Sequence, residues 1–316
     1  MRKTWYILLL LLICICTIII FRAYHYYTQP QLREPYKFYS HKNNDDTIRI
    51  AFIGDSWVYM HNNHNCKITQ IIEDSIHRPI STHSFGICGL TSKEIYECLF
   101  DNPEFKHFMQ ERIYDYCFIS AGINDAFKKM SSSYYKRSME GIIDFLLANH
   151  IHPIILEIPD FNIVKAFINQ KTDKIVLRRL SMLINSKSID CKQEFRSALD
   201  ELIHEKEYQD KVSIIRYKSW NKEYENDLKR LYLDDGMHLN EEGYEVLDSM
   251  IAKTISHHYA SKHGLSHDSL RRTKYFYYNY NNYNRNIIKS SLGIPDIKPQ
   301  VLDAIIWFAL FLVFDK

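Results

Sequence analysis

Thr47-Ile-Arg-Ile-Ala-Phe-Ile53, followed at once by Gly54-Asp55-Ser56-Trp57, is the stretch on which the fold turns. A short run rich in apolar and β-branched residues has the length of a buried strand, and the glycine after it marks where the chain leaves a sheet. Four more such runs read as strands: Ile80 to Phe85, Tyr114 to Ser120, Pro153 to Ile158 and Val212 to Tyr217. Between them lie segments with helical spacing, Ser92 to Gln110, Ser132 to Asn149, Lys174 to Leu183 and Glu194 to Glu205, and Glu241 to His257 follows the last strand. Strand and helix in alternation predict an α/β fold. Its parallel sheet is covered by helices on both faces, with ligands at the carboxyl ends of the strands.

The 316 residues allow one sizeable domain with appendages, and 46% apolar with 25% charged residues is ordinary globular usage. A formal net charge of +2 gives no electrostatic reason to expect nucleic acid. Residues 1–27 read as a signal-anchor. Arg2 and Lys3 precede an apolar run from Trp5 to Phe21, and Tyr24, Tyr26 and Tyr27 stand where an aromatic belt meets the interface. Seventeen helical residues span roughly 26 Å, enough to cross a hydrocarbon core. Thr17-Ile-Ile-Ile-Phe-Arg22 offers no small-residue cleavage site, so retention is expected, with the body of the chain extracytoplasmic. Residues 28–46 form a polar linker, 47–258 the folded domain and 259–316 a C-terminal extension. In that extension Tyr275 to Asn286 has neither period, and the apolar Val301 to Phe314 is short for a span. Cys66, Cys88, Cys98, Cys117 and Cys191 fit no metal spacing and read as single thiols.

Four segments carry chemistry. Ser56 stands where the chain turns from strand to helix; as a nucleophile it needs a base and donors for the oxyanion it creates. Asp235-Gly-Met-His238 places a carboxylate and an imidazole on one loop, the pair that activates a serine. Gly122-Ile-Asn124-Asp125 follows the third strand and offers the Asn124 amide. Gly86-Ile-Cys-Gly89 follows the second, where a glycine lets a backbone N–H approach a ligand; Gly89 is the first candidate and Gly86 the second. Taken singly, Gly-Asp-Ser reads as Asp55 or Ser56 capping the next helix, Asp-x-x-His as a capping Asp beside a surface His, and Gly-x-Asn-Asp as an Asx turn. Yet of nine glycines in the chain, five (Gly54, Gly86, Gly89, Gly122, Gly236) sit in these four segments.

In these four blocks the sequence resembles the SGNH hydrolases, or GDSL-like esterases and lipases, over about residues 47 to 258. The resemblance implies a flavodoxin-like three-layer α/β/α sandwich with a five-stranded parallel sheet. It implies Ser56 as nucleophile, His238 and Asp235 as its partners, and an oxyanion hole from the Ser56 N–H, the Gly89 N–H and the Asn124 side chain. No metal or organic cofactor is implied. Trp57 departs from the Leu that many members carry after the nucleophile, and residues 159 to 211 form a long helix-rich passage before the fifth strand.

The expected reaction is hydrolysis of an acyl ester through an acyl-enzyme. An anchored, extracytoplasmic member of this class points to O-acetyl groups on a cell-envelope or extracellular carbohydrate. An O-acyltransferase or a lipid esterase would use the same residues, and a non-catalytic glycan-binding or assembly protein is the reading from another class.

Overall fold

The structure, a computed structural model, describes residues 2–37, 45–61, 68–76, 78–220, 227, 229–264 and the pair 276–277. Five parallel strands form the sheet: β1 (Ile48–Gly54), β2 (Ile80–Gly86), β3 (Tyr116–Ser120), β4 (His152–Leu156) and β5 (Ser213–Ile215), in the order β5-β4-β3-β1-β2. Placing β1 between β2 and β3, so that the chain winds first to one side of it and then to the other, makes the flavodoxin-like sandwich. β1 and β3 are almost wholly buried, as strands covered on both faces must be. Register aligns Gly54 with Gly86 on one side and with Ser120 on the other, so three strands end level with one another. The loops that follow them therefore meet at one edge.

Most elements shift by one to three residues from the sequence reading, and two helices differ by more. Ser92 to Gln110 is two helices, Ser92–Asp101 and Pro103–Glu111, because Asn102 leaves helical geometry and Pro103 cannot donate into a continuing helix. The Asn102 side chain accepts from the backbone of Glu104 and Phe105, so the residue that closes one helix caps the next. The last helix runs from Glu241 to His263, beyond His257, and is capped by the Asn240 side chain. In the aperiodic tract, Phe276–Tyr277 pairs parallel with β2 as a two-residue sixth strand, where no strand was expected. The rest of Tyr275 to Asn286, with Val301 to Phe314 and Cys66, lies outside the described residues. Cys98, Cys117 and Cys191 are buried free thiols, and Cys88 is partly buried.

One helix spans Arg2–Tyr27, and its Trp5–Tyr27 stretch is long and apolar enough to cross a membrane by length and composition. The residues after it do not behave as a free polar linker. The Lys93 ammonium donates to the carbonyls of His25 (2.5 Å) and Thr28 (3.1 Å), and the Arg33 guanidinium forks onto Asp101. Pro30 is buried, and Leu32 and Tyr36 pack against the core. Tyr36 O–H donates to the Leu99 carbonyl at 2.7 Å. The chain leaving the apolar helix is thus sewn onto helix 92–101.

Candidate active site

The four blocks converge on the carboxyl edge of the sheet. Ser56 begins a short helix, Ser56–His61, whose backbone presses onto the end of β2; a Cβ on Gly86 would lie 2.2 Å from the Tyr59 nitrogen. Glycine is what permits the approach, so Gly86 serves close packing, while Gly89 stays the donor candidate. Asp235 and His238 sit on a loop closed like a small hairpin. Tyr232 pairs with Leu239, Leu233 N–H donates to the His238 carbonyl (2.8 Å), and Asn240 N–H donates to the Leu231 carbonyl (2.9 Å). Asn162 N–H reaches across from the loop after β4 to the Gly236 carbonyl at 2.9 Å and braces this hairpin from the side.

Ser56 Oγ lies 2.9 Å from His238 Nε2, and His238 Nδ1 lies 2.5 Å from Asp235 Oδ2. A carboxylate has no hydrogen to give, so the imidazole proton resides on Nδ1 and Nε2 is left as an acceptor facing the serine hydroxyl. Asp235 Oδ1 also accepts from the backbone N–H of Met237 (2.9 Å) and His238 (3.0 Å). Partial burial pushes the Asp235 carboxyl up, but the bonds from His238 and Met237 outweigh it and hold the group at about 2. It stays ionised throughout the range in which an imidazole can act as a base.

Asn124 opens the helix Ile123–Lys128 after β3. Its Nδ2 donates one hydrogen to Asp55 Oδ2 at 3.2 Å, which leaves the second for a ligand. Asp55 is fully buried; its Oδ1 also accepts from the Trp57 N–H (3.0 Å) and the Ser120 hydroxyl (3.1 Å). Burial raises the Asp55 carboxyl to about 6 against the pull of those bonds. Gly89 holds a left-handed backbone (φ 79°), and its carbonyl accepts from Lys128 Nζ at 2.6 Å. Lys128 also pairs with Glu94 at 3.3 Å, and Glu94 closes a capping box with Thr91. Among the described residues, neither the Ser56 N–H nor the Gly89 N–H donates to a protein acceptor.

The structure therefore brings Ser56, Asp235 and His238 into one hydrogen-bonded chain, with Gly89 on the loop after β2 and Asn124 in the first turn of the helix after β3. Sequence reasoning passed over Asp55 and Lys128. Asp55 lies inside the Gly-Asp-Ser block, where it both caps Trp57 and holds Asn124. Lys128 stands one helical turn after Asn124, a spacing that was there to be read. Trp57 is buried and meets Trp220 and Tyr232 edge-on, at ring-centre distances of 6.1 and 6.3 Å, so the departure from Leu fills space behind the nucleophile. A cavity of about 350 Å³ among Ile48, Tyr116, His152 and His258 lies at the opposite, amino edge, remote from this chemistry.

Residues 52–246 match the GDSL-like Lipase/Acylhydrolase family, and the chain belongs to it. It is a hydrolase of the esterase and acylhydrolase class. Among solved structures, it is similar to a lipase/acylhydrolase from Enterococcus faecalis (16% identity, TM-score 0.47, covering 66% of this chain and 96% of that one). It is similar too to a psychrotrophic esterase from a Pseudoalteromonas species (13%, TM-score 0.46, 67% and 98%). A third is a GDSL-like lipase from Bacteroides thetaiotaomicron (17%, TM-score 0.43, 66% and 88%). No curated protein sequence matches the chain.

Proposed function

We propose that the protein is an anchored, extracytoplasmic serine esterase in which Ser56 is the nucleophile, His238 the general base and then acid, and Asp235 the group that orients and stabilises the imidazole. The observation that carries this reading is the unbroken chain from Ser56 Oγ through both nitrogens of His238 to Asp235. Ser56 Oγ attacks the ester carbonyl as its proton passes to Nε2. The oxyanion is met by the Ser56 and Gly89 N–H groups and the second hydrogen of Asn124 Nδ2. The leaving alkoxide takes the proton from His238, giving alcohol and an acyl-Ser56. Water then gives a proton to Nε2 and attacks the acyl carbon; the acid departs and Ser56 regains its hydrogen. A sugar hydroxyl in place of that water would give acyl transfer.

For substrate we assign an O-acetyl ester on a cell-envelope carbohydrate, on the strength of the proposed location: residues 1–27 as anchor, 28–46 as connection, 47–258 as the catalytic domain and 259–316 as an extension. A second reading, a lipid ester, is favoured by apolar residues left exposed beside the end of the anchor helix, among them Leu183 and Ile184. The test is acid release by the full chain from p-nitrophenyl acetate and p-nitrophenyl decanoate, with Ser56→Ala beside it. Release that is Ser56-dependent and faster with acetate is the expected result. Preference for decanoate moves the assignment to the lipid ester, and release undiminished in Ser56→Ala removes the mechanism.

A further inference from the structure

The passage between β4 and β5 carries an amphipathic helix turned inside out. In helix Thr172–Ile184, Leu180, Leu183 and Ile184 stand three and four residues apart and so share a face; their exposures are 39%, 77% and 66%. Ile168 on the preceding helix, Ile163–Ile168, is 66% exposed and Val164 44%. The other face of helix 172–184 is the one that packs: Arg178 lies 3.6 Å from the ring centre of Phe127, and Ser181 is buried. A soluble domain ordinarily turns such an apolar row inward, and a contiguous exposed one marks an interaction site.

Three observations say what covers it. Residues 163–189 hold six Lys and Arg against one Asp, so this segment is strongly basic and the remainder of the chain is net negative. Lys165, Lys171, Lys174 and Arg179 are exposed around the apolar row, the composition of a helix lying in an anionic lipid interface. The helix also touches the apolar N-terminal helix: the Tyr27 hydroxyl and Ser181 Oγ are 2.5 Å apart. From Phe21, where the apolar run ends, to Tyr27 is six helical residues, about 9 Å. That places helix 172–184 at headgroup depth if the N-terminal helix spans the bilayer.

We infer that helix 172–184, with Val164 and Ile168, seats the catalytic edge of the domain on the membrane that holds the anchor. Residues 157–191 leave β4 at its carboxyl end and return through helix Lys192–Glu205, so the seat and Ser56 share one edge of the sheet. Contacts tie the seat to the site: Tyr232 O–H donates to the Asp160 carbonyl at 3.0 Å beside the His238 hairpin, and Asn185 donates to the Lys129 carbonyl at 2.8 Å beside Lys128. The ester carbonyl then reaches Ser56 from the lipid–water interface, and groups standing far out from the membrane do not.

The test uses the full chain in vesicles of phosphatidylcholine and phosphatidylglycerol, 3:1, carrying a tritiated phosphatidylcholine. The photoreactive residue p-benzoylphenylalanine replaces Leu183 in one preparation, Leu11 of the anchor in a second, and Asp210 in a third. Asp210 is exposed in the turn before β5, at the far edge of the sheet. Expected are lipid adducts at Leu11 and at Leu183, with at least about fivefold less at Asp210. Label at Leu11 but no more at Leu183 than at Asp210 overturns the proposal, as does a cross-linked product of twice the mass at Leu183, which would make the face a contact between copies. Because lipid adducts are read without turnover, this result stands or falls separately from the esterase assignment.

Discussion

Asp55 Oδ2 accepts a hydrogen bond from Asn124 Nδ2 at 3.2 Å, across the gap between the carboxyl ends of β1 and β3. The amide proposed for the oxyanion hole is therefore held by a buried carboxylate from the residue directly before Ser56, the proposed nucleophile. Asp55→Asn would set one amide against the other and release Asn124 from that hold. We expect kcat to fall about 10²-fold with KM little changed, and Asn124→Ala to fall about 10²–10³-fold. In the double variant the two losses do not add, since Asp55 acts through Asn124. Steady-state kinetics on p-nitrophenyl acetate decide it; additive losses would separate the two residues.

Lys128 does for Gly89 what Asp55 does for Asn124, but from outside the peptide it positions. Its ammonium fixes the Gly89 carbonyl and is itself held by Glu94. Lys128→Met removes the bond and leaves the methylene stem in place. The expected effect is about a tenfold or larger fall in kcat, because small displacements at a reacting centre are costly. Lys128→Arg is expected to recover part of it. A Lys128→Met enzyme with unchanged kcat would show that the left-handed turn at Gly89 holds its shape unaided.

Asp125 is fully buried and accepts from the Ser92 N–H (2.8 Å) and the Ser92 hydroxyl (2.5 Å). Burial raises its carboxyl from an ordinary 3.8 to about 6, against those two bonds. The folded state then binds more protons than the unfolded state between the two values. Stability is greatest below about 4 and is lost as pH rises through 6, on the order of 2–3 kcal/mol for this group. Asp125→Asn removes that dependence. Urea unfolding followed by tryptophan fluorescence at pH 4.5 and 7.5 is expected to show the wild-type advantage over the variant narrowing at the higher pH. A gap that widens would mean the carboxylate is stabilised by its surroundings.

What the sequence made legible was local. Ser56 at a strand end and Asp235 with His238 on one loop are visible because each block is short and its geometry is set by its neighbours. The pairing of Asp55 with Asn124 spans 69 positions and depends on Gly54 lying level with Ser120, a register that no local pattern encodes. The break at Asn102 was legible in Pro103 and was overrun by the apolar spacing on either side of it. The stretch after Tyr27 read as a polar linker because its anchoring contacts are single residues, Arg33 and Tyr36, whose partners Tyr96, Leu99 and Asp101 lie more than sixty positions away. Exposure of Leu180, Leu183 and Ile184 was beyond sequence reading altogether, since their spacing predicts the helix and is silent on which side it packs.

Gly86 offers the sharpest test of how the nucleophile is placed. No side chain fits between the end of β2 and the helix that starts at Ser56: a Cβ there would meet the Tyr59 nitrogen at 2.2 Å and the Val58 carbonyl carbon at 2.7 Å, both backbone atoms with no rotamer to relieve them. In Gly86→Ala the helix must shift away from the strand, carrying Ser56 Oγ out of its 2.9 Å contact with His238. Overpacking of this kind costs about 1–3 kcal/mol. The catalytic loss is expected to be larger than the stability loss implies, because a serine displaced from its base stays inactive in molecules that remain folded. Circular dichroism against temperature, with kcat measured well below the transition, separates the two effects. If the folded variant keeps full kcat, then the seat of the Ser56 helix is set elsewhere, by Asp55 and the core around Trp57.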